Sequence, residues 1–371
     1  MSWDLQSDLD EWRGRGLWRE LREIESAQGP VVRLAGHDVV NFSSNDYLGL
    51  ASSDLLKQAM HEGVDLHGAG AGASRLVCGT QGPHVKLEQA LAAFKGAEAA
   101  LAFTSGYAAA VGILPALLGS GDTVILDKLV HASLVDAARV SGATIRVFPH
   151  NHLGRLEKLL QVATGRVLVV TESVFSMDGD RCPLEEIVGL KERYGAWLLL
   201  DEAHAVGVIG PQGRGLAAEA GLESRVDLQM GTLSKAFGLS GGYVAARREV
   251  VSWLVNKARS LVYSTAPPPA LAHAALASLN AVAGDLGDQL RRRLWQNLEM
   301  LADRRPESAI LPWIIGDETA AVERSMALAE AGFLVPAIRY PTVARGRARL
   351  RITCSATHQE VQVSALRTAL A

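Results

Sequence analysis

Residues 166–204 read RVLVVTESVFSMDGDRCPLEEIVGLKERYGAWLLLDEAH. One apolar run closes on Thr-Glu-Ser, a helical stretch follows, and a second apolar run closes on Asp-Glu-Ala-His. Unbroken apolar strands belong to parallel sheets buried on both faces, and a helical crossover is the connection that parallel strands require. Upstream, the same pattern gives helices over 83–96, 106–118, 131–142 and 153–163, with strands over 99–104, 122–127 and 144–149 between them. Downstream, VDLQMG (226–231) and GGYVAAR (241–247) add strands. The alternation predicts an α/β fold, a mostly parallel sheet flanked by helices.

The flanks read differently. Residues 5–28 suit a polar helix, and a short strand and turn lead into NFSSNDYLGL (41–50). Prolines 267–269 break the chain before a long helical stretch over 270–304. PWIIG (312–316), a helix near 318–331, FLVPAI (333–338), RARLRITC (347–354) and a last helix then suit a small α+β lobe. The expected division is an N-terminal arm (1–45), a large domain (46–269) and a small C-terminal domain (270–371).

With 371 residues and 48% hydrophobic content, the chain can bury a sizeable core. Its net charge of -3 comes from interspersed acids and bases, which disfavours nucleic-acid and membrane-surface partners and favours small molecules. The acidic and arginine-rich first 22 residues lack the apolar core of a signal peptide, and no apolar run approaches the roughly 20 residues of a membrane span. A cytoplasmic location is expected. The three cysteines are widely spaced and read as free thiols. His150 and His152, close together without further ligands, read as loop residues and not as a metal site.

In open α/β sheets, ligands bind beyond the carboxyl ends of the strands. Lys235 in TLSKAFG follows the strand VDLQMG, and a desolvated lysine there can attack an aldehyde. Taken alone it reads as a solvated loop lysine. Asp201 ends a buried strand and His204 follows it. A bland strand-end cap explains the acid equally, but with pyridoxal 5′-phosphate (PLP) present Asp201 would hold the pyridine nitrogen protonated and His204 would bond the phenolic oxygen. Residues 103–107, FTSGY, close a strand and open a helix, so Gly106 and Tyr107 form a candidate phosphate cup to which Thr232 adds a hydroxyl. His131 begins a helix and either lies on the ring face or serves only at the helix start. Arg351 suits capture of an amino-acid carboxylate, whereas Arg345, Arg347 and Arg349 read as exposed arginines on an edge strand. HGAGAGASR (67–75) lacks the G-x-G-x-x-G spacing, which disfavours a nucleotide-binding regulator, and reads as a flexible loop near the site.

Together SSNDYLGL, GASRLVCGT, FTSGY, HASLVDA, TESVFSMDGD, LLLDEAHAVGVIGPQGRG, GTLSKAFG, YSTAPPP and LRITCSATH resemble the α-oxoamine synthases over nearly the whole chain. These are fold-type I PLP-dependent transferases with a mostly parallel seven-stranded sheet. The resemblance implies that Lys235 bonds the cofactor's aldehyde and that Asp201, His204 and His131 complete the catalytic set. Ser176 would contact the cofactor, Gly106, Tyr107 and Thr232 would serve its phosphate, and Thr265 would reach the phosphate of a neighbouring subunit in a homodimer. Arg19, Asn45, Thr342 and Arg351, with His131, would contact substrate. The implied reaction is decarboxylative condensation of an amino acid with an acyl thioester: L-alanine with a pimeloyl thioester on coenzyme A or an acyl carrier protein, or alternatively glycine or serine with another acyl group. Cys78, where family members often have serine, and a short stretch between 301 and 339 depart from the family pattern.

Overall fold

The computed structural model describes residues 3–15, 17–302 and 305–371. An N-terminal helix, Leu5–Gly14, precedes a hairpin of β1 (Val31–Leu34) and β2 (His37–Asn41). The central sheet comprises β3 (Ala99–Phe103), β4 (Thr123–Asp127), β5 (Thr144–Phe148), β6 (Val167–Glu172), β7 (Trp197–Asp201), β8 (Leu228–Thr232) and β9 (Gly242–Ala246). Their order is β3-β9-β8-β7-β6-β4-β5, and β9 alone runs against its neighbours. Parallel neighbours need a crossover, but β8 returns directly into β9 through residues 233–241. That short return places Lys235 at the carboxyl end of β8.

The unbroken apolar runs follow from the layers. Leu198, Leu199 and Leu200 are all fully buried, yet Leu199 packs into one helical layer while Leu198 and Leu200 pack into the other. Alternate strand side chains point to opposite faces, so a sheet covered on both sides needs apolar residues at every position.

The C-terminal part builds a second sheet, β10 (Ile310–Gly316), β12 (Ala337–Ile338) and β13 (Ala348–Thr353), in the order β10-β13-β12. The remaining strand, β11 (Phe333–Leu334), joins the early hairpin by pairing in parallel with β2. Residues 31–41 are therefore tied to the C-terminal part of the chain.

Three local expectations need correction. The helix expected over 5–28 stops at Gly14, and Ile24 instead bridges Leu34; the helix buries no residue, so nothing in its packing extends it past a poor helix former. The stretch 270–304 is two helices, Pro269–Ala283 and Asp285–Leu301, parted at Gly284, and its expected end at 304 lies outside the described residues. The turn is tight: a Cβ on Gly287 would overlap the Val282 carbonyl. Arg349 is not an exposed edge residue. β13 is the middle strand of its sheet, Arg349 is 2% exposed, and its Nη1 donates to Asp178 Oδ1 at 2.7 Å.

Among the described residues, no helix is long and apolar enough to cross a membrane, and no group of His, Cys, Asp and Glu is arranged to hold a metal ion. The three cysteines are free, with Cys78 exposed. His152 caps the helix Leu153–Gln161, while His150 lies between Asp127 Oδ1 (3.1 Å) and Asp180 Oδ2 (2.7 Å). Burial disfavours the imidazolium, but the hydrogen bonds and charges of both carboxylates outweigh it and raise the His150 pKa to about 10. A folded-state pKa above the unfolded value of about 6.5 gives stability that is complete below pH 6.5 and lost as pH rises through about 10. His150→Ala should therefore cost about 2 kcal/mol at pH 6, with a deficit that narrows toward pH 10.5. Denaturant unfolding of both proteins at the two pH values checks this; a pH-independent deficit would mean that only the edge-on packing against Phe175 matters.

Candidate active site

The carboxyl ends of β4, β6, β7 and β8 open on one side of the sheet. Glu172 is in register with Asp201, and Asp201 with Met230. The side chains that follow these strands line a cavity of about 250 Å³ with Ser105, Gly106, Tyr107, His131, Ser133, Glu172, Asp201, His204, Thr232, Ser234 and Lys235. Larger hollows border the helix Asp285–Leu301, but they hold arginines and carboxylates with no lysine or histidine among the lining residues. Size alone does not locate the site.

One end of the cavity is an anion cup. Ser105 caps the twelve-residue helix Gly106–Leu117 by accepting from the Ala108 N–H, which leaves the first N–H groups, those of Gly106 and Tyr107, for a ligand. A Cβ on Gly242 would overlap the Ser105 carbonyl, so β9 must begin with glycine to lie this close. Thr232 Oγ1 donates to the Gly241 carbonyl at 2.7 Å and lies 2.7 Å from Ser234 Oγ. Tyr107 is half-exposed and donates to Asp136 Oδ2 at 3.0 Å.

Charge is concentrated at the other end. Burial pushes the Lys235 amine down to about 8, against the pull of Asp201 and Glu172 and with a further push from Arg351. The Asp201 carboxyl is raised by burial, opposed mainly by Lys235, and its Oδ1 accepts from the Ala203 N–H at 2.9 Å. Glu172 is raised well above the usual range by burial and by the adjacent Asp201 charge. Glu202, which follows Asp201, is fully buried in an ion pair with Lys95. That pair fixes the turn from which His204 projects. His131 caps the helix Ala132–Ser141 through its Nδ1, and its backbone N–H donates to Glu172 Oε1. Burial lowers its pKa, and burial holds His204 well below the usual value.

The remaining expected residues divide into groups. Arg351, 5% exposed on β13, donates through Nε to the Ser176 carbonyl (2.6 Å) and through Nη2 to Asn45 Oδ1 (3.1 Å). Its charge lowers the pKa of both Lys235 and His204, so it stands beside the cavity. Ser176 is not among the lining residues; its carbonyl positions Arg351. Thr265 is absent from the lining too and pairs with Ser74, at the end of the glycine-rich stretch. Arg19 and Thr342 meet in a separate cavity of about 200 Å³ with Arg339 and Tyr340. Glu172, Ser133, Ser234 and the buried Tyr47 were not singled out in the sequence. The strand-end rule that found Asp201 applies equally to Glu172.

The donor set fits PLP: helix N–H groups and hydroxyls for the phosphate, a carboxylate, a neutral histidine, and an amine of depressed pKa at the same cavity. Known proteins agree. Residues 37–370 match the family described as Aminotransferase class I and II. The 8-amino-7-oxononanoate synthase of Geobacter sulfurreducens is 47% identical over 371 residues, 97% of this chain and 95% of that protein. That of Chromobacterium violaceum is 45% identical over 98% of this chain and 96% of its own length. Among solved structures, a serine palmitoyltransferase variant from S. paucimobilis with a bound PLP–myriocin aldimine superposes with a TM-score of 0.92 at 30% identity, covering 98% of this chain and 95% of that one. An 8-amino-7-oxononanoate synthase from Francisella tularensis gives a TM-score of 0.75 at 28% identity, covering 89% and 96%. The chain belongs to the aminotransferase class I and II family and, within it, to the PLP-dependent α-oxoamine synthases that its motifs resemble.

Proposed function

We propose that the site joins L-alanine to a pimeloyl thioester, with loss of CO₂ and the free thiol, to give 8-amino-7-oxononanoate for biotin synthesis. The convergence of Lys235, Asp201, His204 and His131 on one cavity carries the reading, and the curated relatives of 47% and 45% identity select this reaction within the family. When bound, PLP supplies a protonated pyridine ring that takes up the electron pair left when a bond to the substrate Cα breaks.

The chain's own residues do the rest. With PLP bound, Lys235 would hold the cofactor by its aldehyde and, as a free amine whose pKa burial depresses, would remove and return the Cα proton. Asp201 would keep the pyridine nitrogen charged, His204 would bond the phenolic oxygen, and His131 would cover the ring. Gly106, Tyr107 and Thr232 would hold the phosphate, and Ser176 would act through Arg351, which its carbonyl seats. Arg351 holds the substrate carboxylate beside Asn45 and thereby chooses which Cα bond stands across the ring. Arg19 and Thr342, which share a second cavity, contact the acyl substrate.

A homodimer completes this reading. Leu76, Val77 and Tyr263 are 54%, 78% and 73% exposed, and the pairing of Ser74 with Thr265 draws them together into a surface that a second copy would cover. Thr265 would then serve the partner's phosphate. The arm, large domain and C-terminal domain bounded at 45/46 and 269/270 belong to the same proposal, as does a cytoplasmic location.

Serine is the competing amino acid, because serine palmitoyltransferases superpose over 98% of this chain. Mass spectrometry of products from alanine, glycine and serine, each offered with pimeloyl-coenzyme A and pimeloyl acyl carrier protein, tests the reading. Only alanine should give appreciable 8-amino-7-oxononanoate-type product; preference for another amino acid would reject it. Arg351→Ala should raise KM for alanine on the order of 10²-fold, the loss expected when one partner of a buried charge pair is removed. An unchanged KM would put the carboxylate elsewhere.

A further inference from the structure

We propose that Tyr47 is a positioning residue that fixes the proton of His204 on Nδ1 and links this histidine, through Asn45, to Arg351. The Tyr47 hydroxyl lies 2.7 Å from His204 Nδ1 and 3.2 Å from Asn45 Oδ1, and Arg351 Nη2 donates to that same Oδ1 at 3.1 Å. A guanidinium can only donate, so the Asn45 atom it meets is the carbonyl oxygen. That oxygen can only accept. Tyr47 therefore gives its one hydrogen to Asn45 and offers a lone pair to His204, which must present Nδ1–H.

The opposite arrangement, with the hydroxyl donating to Nδ1, would set two oxygen lone pairs against each other at 3.2 Å in a buried site. Tyr47 stays protonated, because burial raises its phenol, though the Arg351 charge and a hydrogen bond from Arg351 to the phenolic oxygen oppose the rise. His204 is neutral for the reasons given above. A neutral imidazole with its hydrogen on Nδ1 carries a bare lone pair on Nε2, the nitrogen left for the cavity that His204 lines.

The surroundings hold this chain of bonds rigid. Tyr47 is fully buried, and its carbonyl accepts from the Ala356 N–H at 2.8 Å. The Phe42 carbonyl accepts from Thr353 at 2.9 Å, and a Cβ on Gly49 (φ +70°) would overlap Thr357. The segment 42–49 is thus sewn to the C-terminal part while its tyrosine reaches the large domain. A change at the carboxylate-binding arginine is felt at the histidine through three hydrogen bonds, Arg351 to Asn45, Asn45 to Tyr47 and Tyr47 to His204.

The inference rests on the proposed cofactor site, but its first test needs neither cofactor turnover nor substrate. ¹⁵N-histidine NMR of the full-length apoprotein, with His204→Gln to assign the signal, should show His204 with hydrogen on Nδ1. In Tyr47→Phe the hydrogen should move at least partly to Nε2. With PLP restored, Tyr47→Phe should shift the pH midpoint of the visible absorbance and lower kcat about 10-fold with little change in KM for alanine, the scale seen when an orienting partner of a histidine is lost. A wild-type His204 carrying its hydrogen on Nε2 would overturn the proposal, even if Tyr47→Phe failed to fold. So would a Tyr47→Phe protein with the same tautomer and the same absorbance midpoint. Failure to form 8-amino-7-oxononanoate would reject the proposed reaction and leave the tautomer result standing.

Discussion

Lys235→Ala is expected to abolish covalent attachment of PLP and to lower turnover by about 10⁴-fold or more, since one amine serves both as the bond to the aldehyde and as the base at Cα. The location explains the size of the effect. Lys235 sits in the return between two antiparallel strands of an otherwise parallel sheet, where no other lysine lines the cavity. Its pKa of about 8 gives a substantial fraction of free amine near neutrality, where an ordinary lysine would have almost none. Borohydride treatment followed by intact mass measurement should show a fixed PLP adduct in the parent protein and none in the variant. In the parent apoprotein, the rate of covalent capture of PLP should rise with pH to a plateau with a midpoint near 8. A variant that still acquires the adduct would place the bond on another residue, and a midpoint near 10.5 would mean that Lys235 is not desolvated.

The sheet and its reactive ends were legible in the sequence because they obey local rules. Asp201 and Lys235 follow apolar runs directly, and the apolar runs are unbroken because both sheet faces are covered. Glu172 ends such a run too, but its closeness to Asp201 depends on strand order, which periodicity does not encode. Tyr47 was harder still: it is more than 150 residues from His204, and its neighbour Asn45, named only through the family resemblance, is more than 300 from Arg351, so only the packed chain brings them together. Arg349 was misread for the reverse reason. Its neighbours in sequence look like an exposed edge, but β13 lies between two other strands. The helix expected over 5–28 failed because its polar pattern had no face to bury, and packing, more than propensity, sustains most helices in proteins.

Asp201→Asn should lower kcat on the order of 10³-fold while leaving the fold intact. A unit charge pair in near contact is worth about 4 kcal/mol at the effective dielectric of a protein site, and each 1.4 kcal/mol is about tenfold in rate. The amide retains an oxygen to accept the Ala203 N–H, now at 2.9 Å, so the turn leading to His204 should survive. Glu172 is too compromised to take over. Two adjacent buried carboxyls cannot both ionise cheaply, and Glu172 is the one raised well above its ordinary range while its Oε1 already accepts the His131 N–H. Asp201, which has the stronger Coulombic tie to Lys235, is the member that keeps its anion. Unchanged denaturant stability with a 10³-fold loss of kcat would locate the effect in charge rather than folding. A loss below about tenfold would mean that the carboxylate facing the ring nitrogen is Glu172 instead, and Glu172→Gln would then carry the large defect.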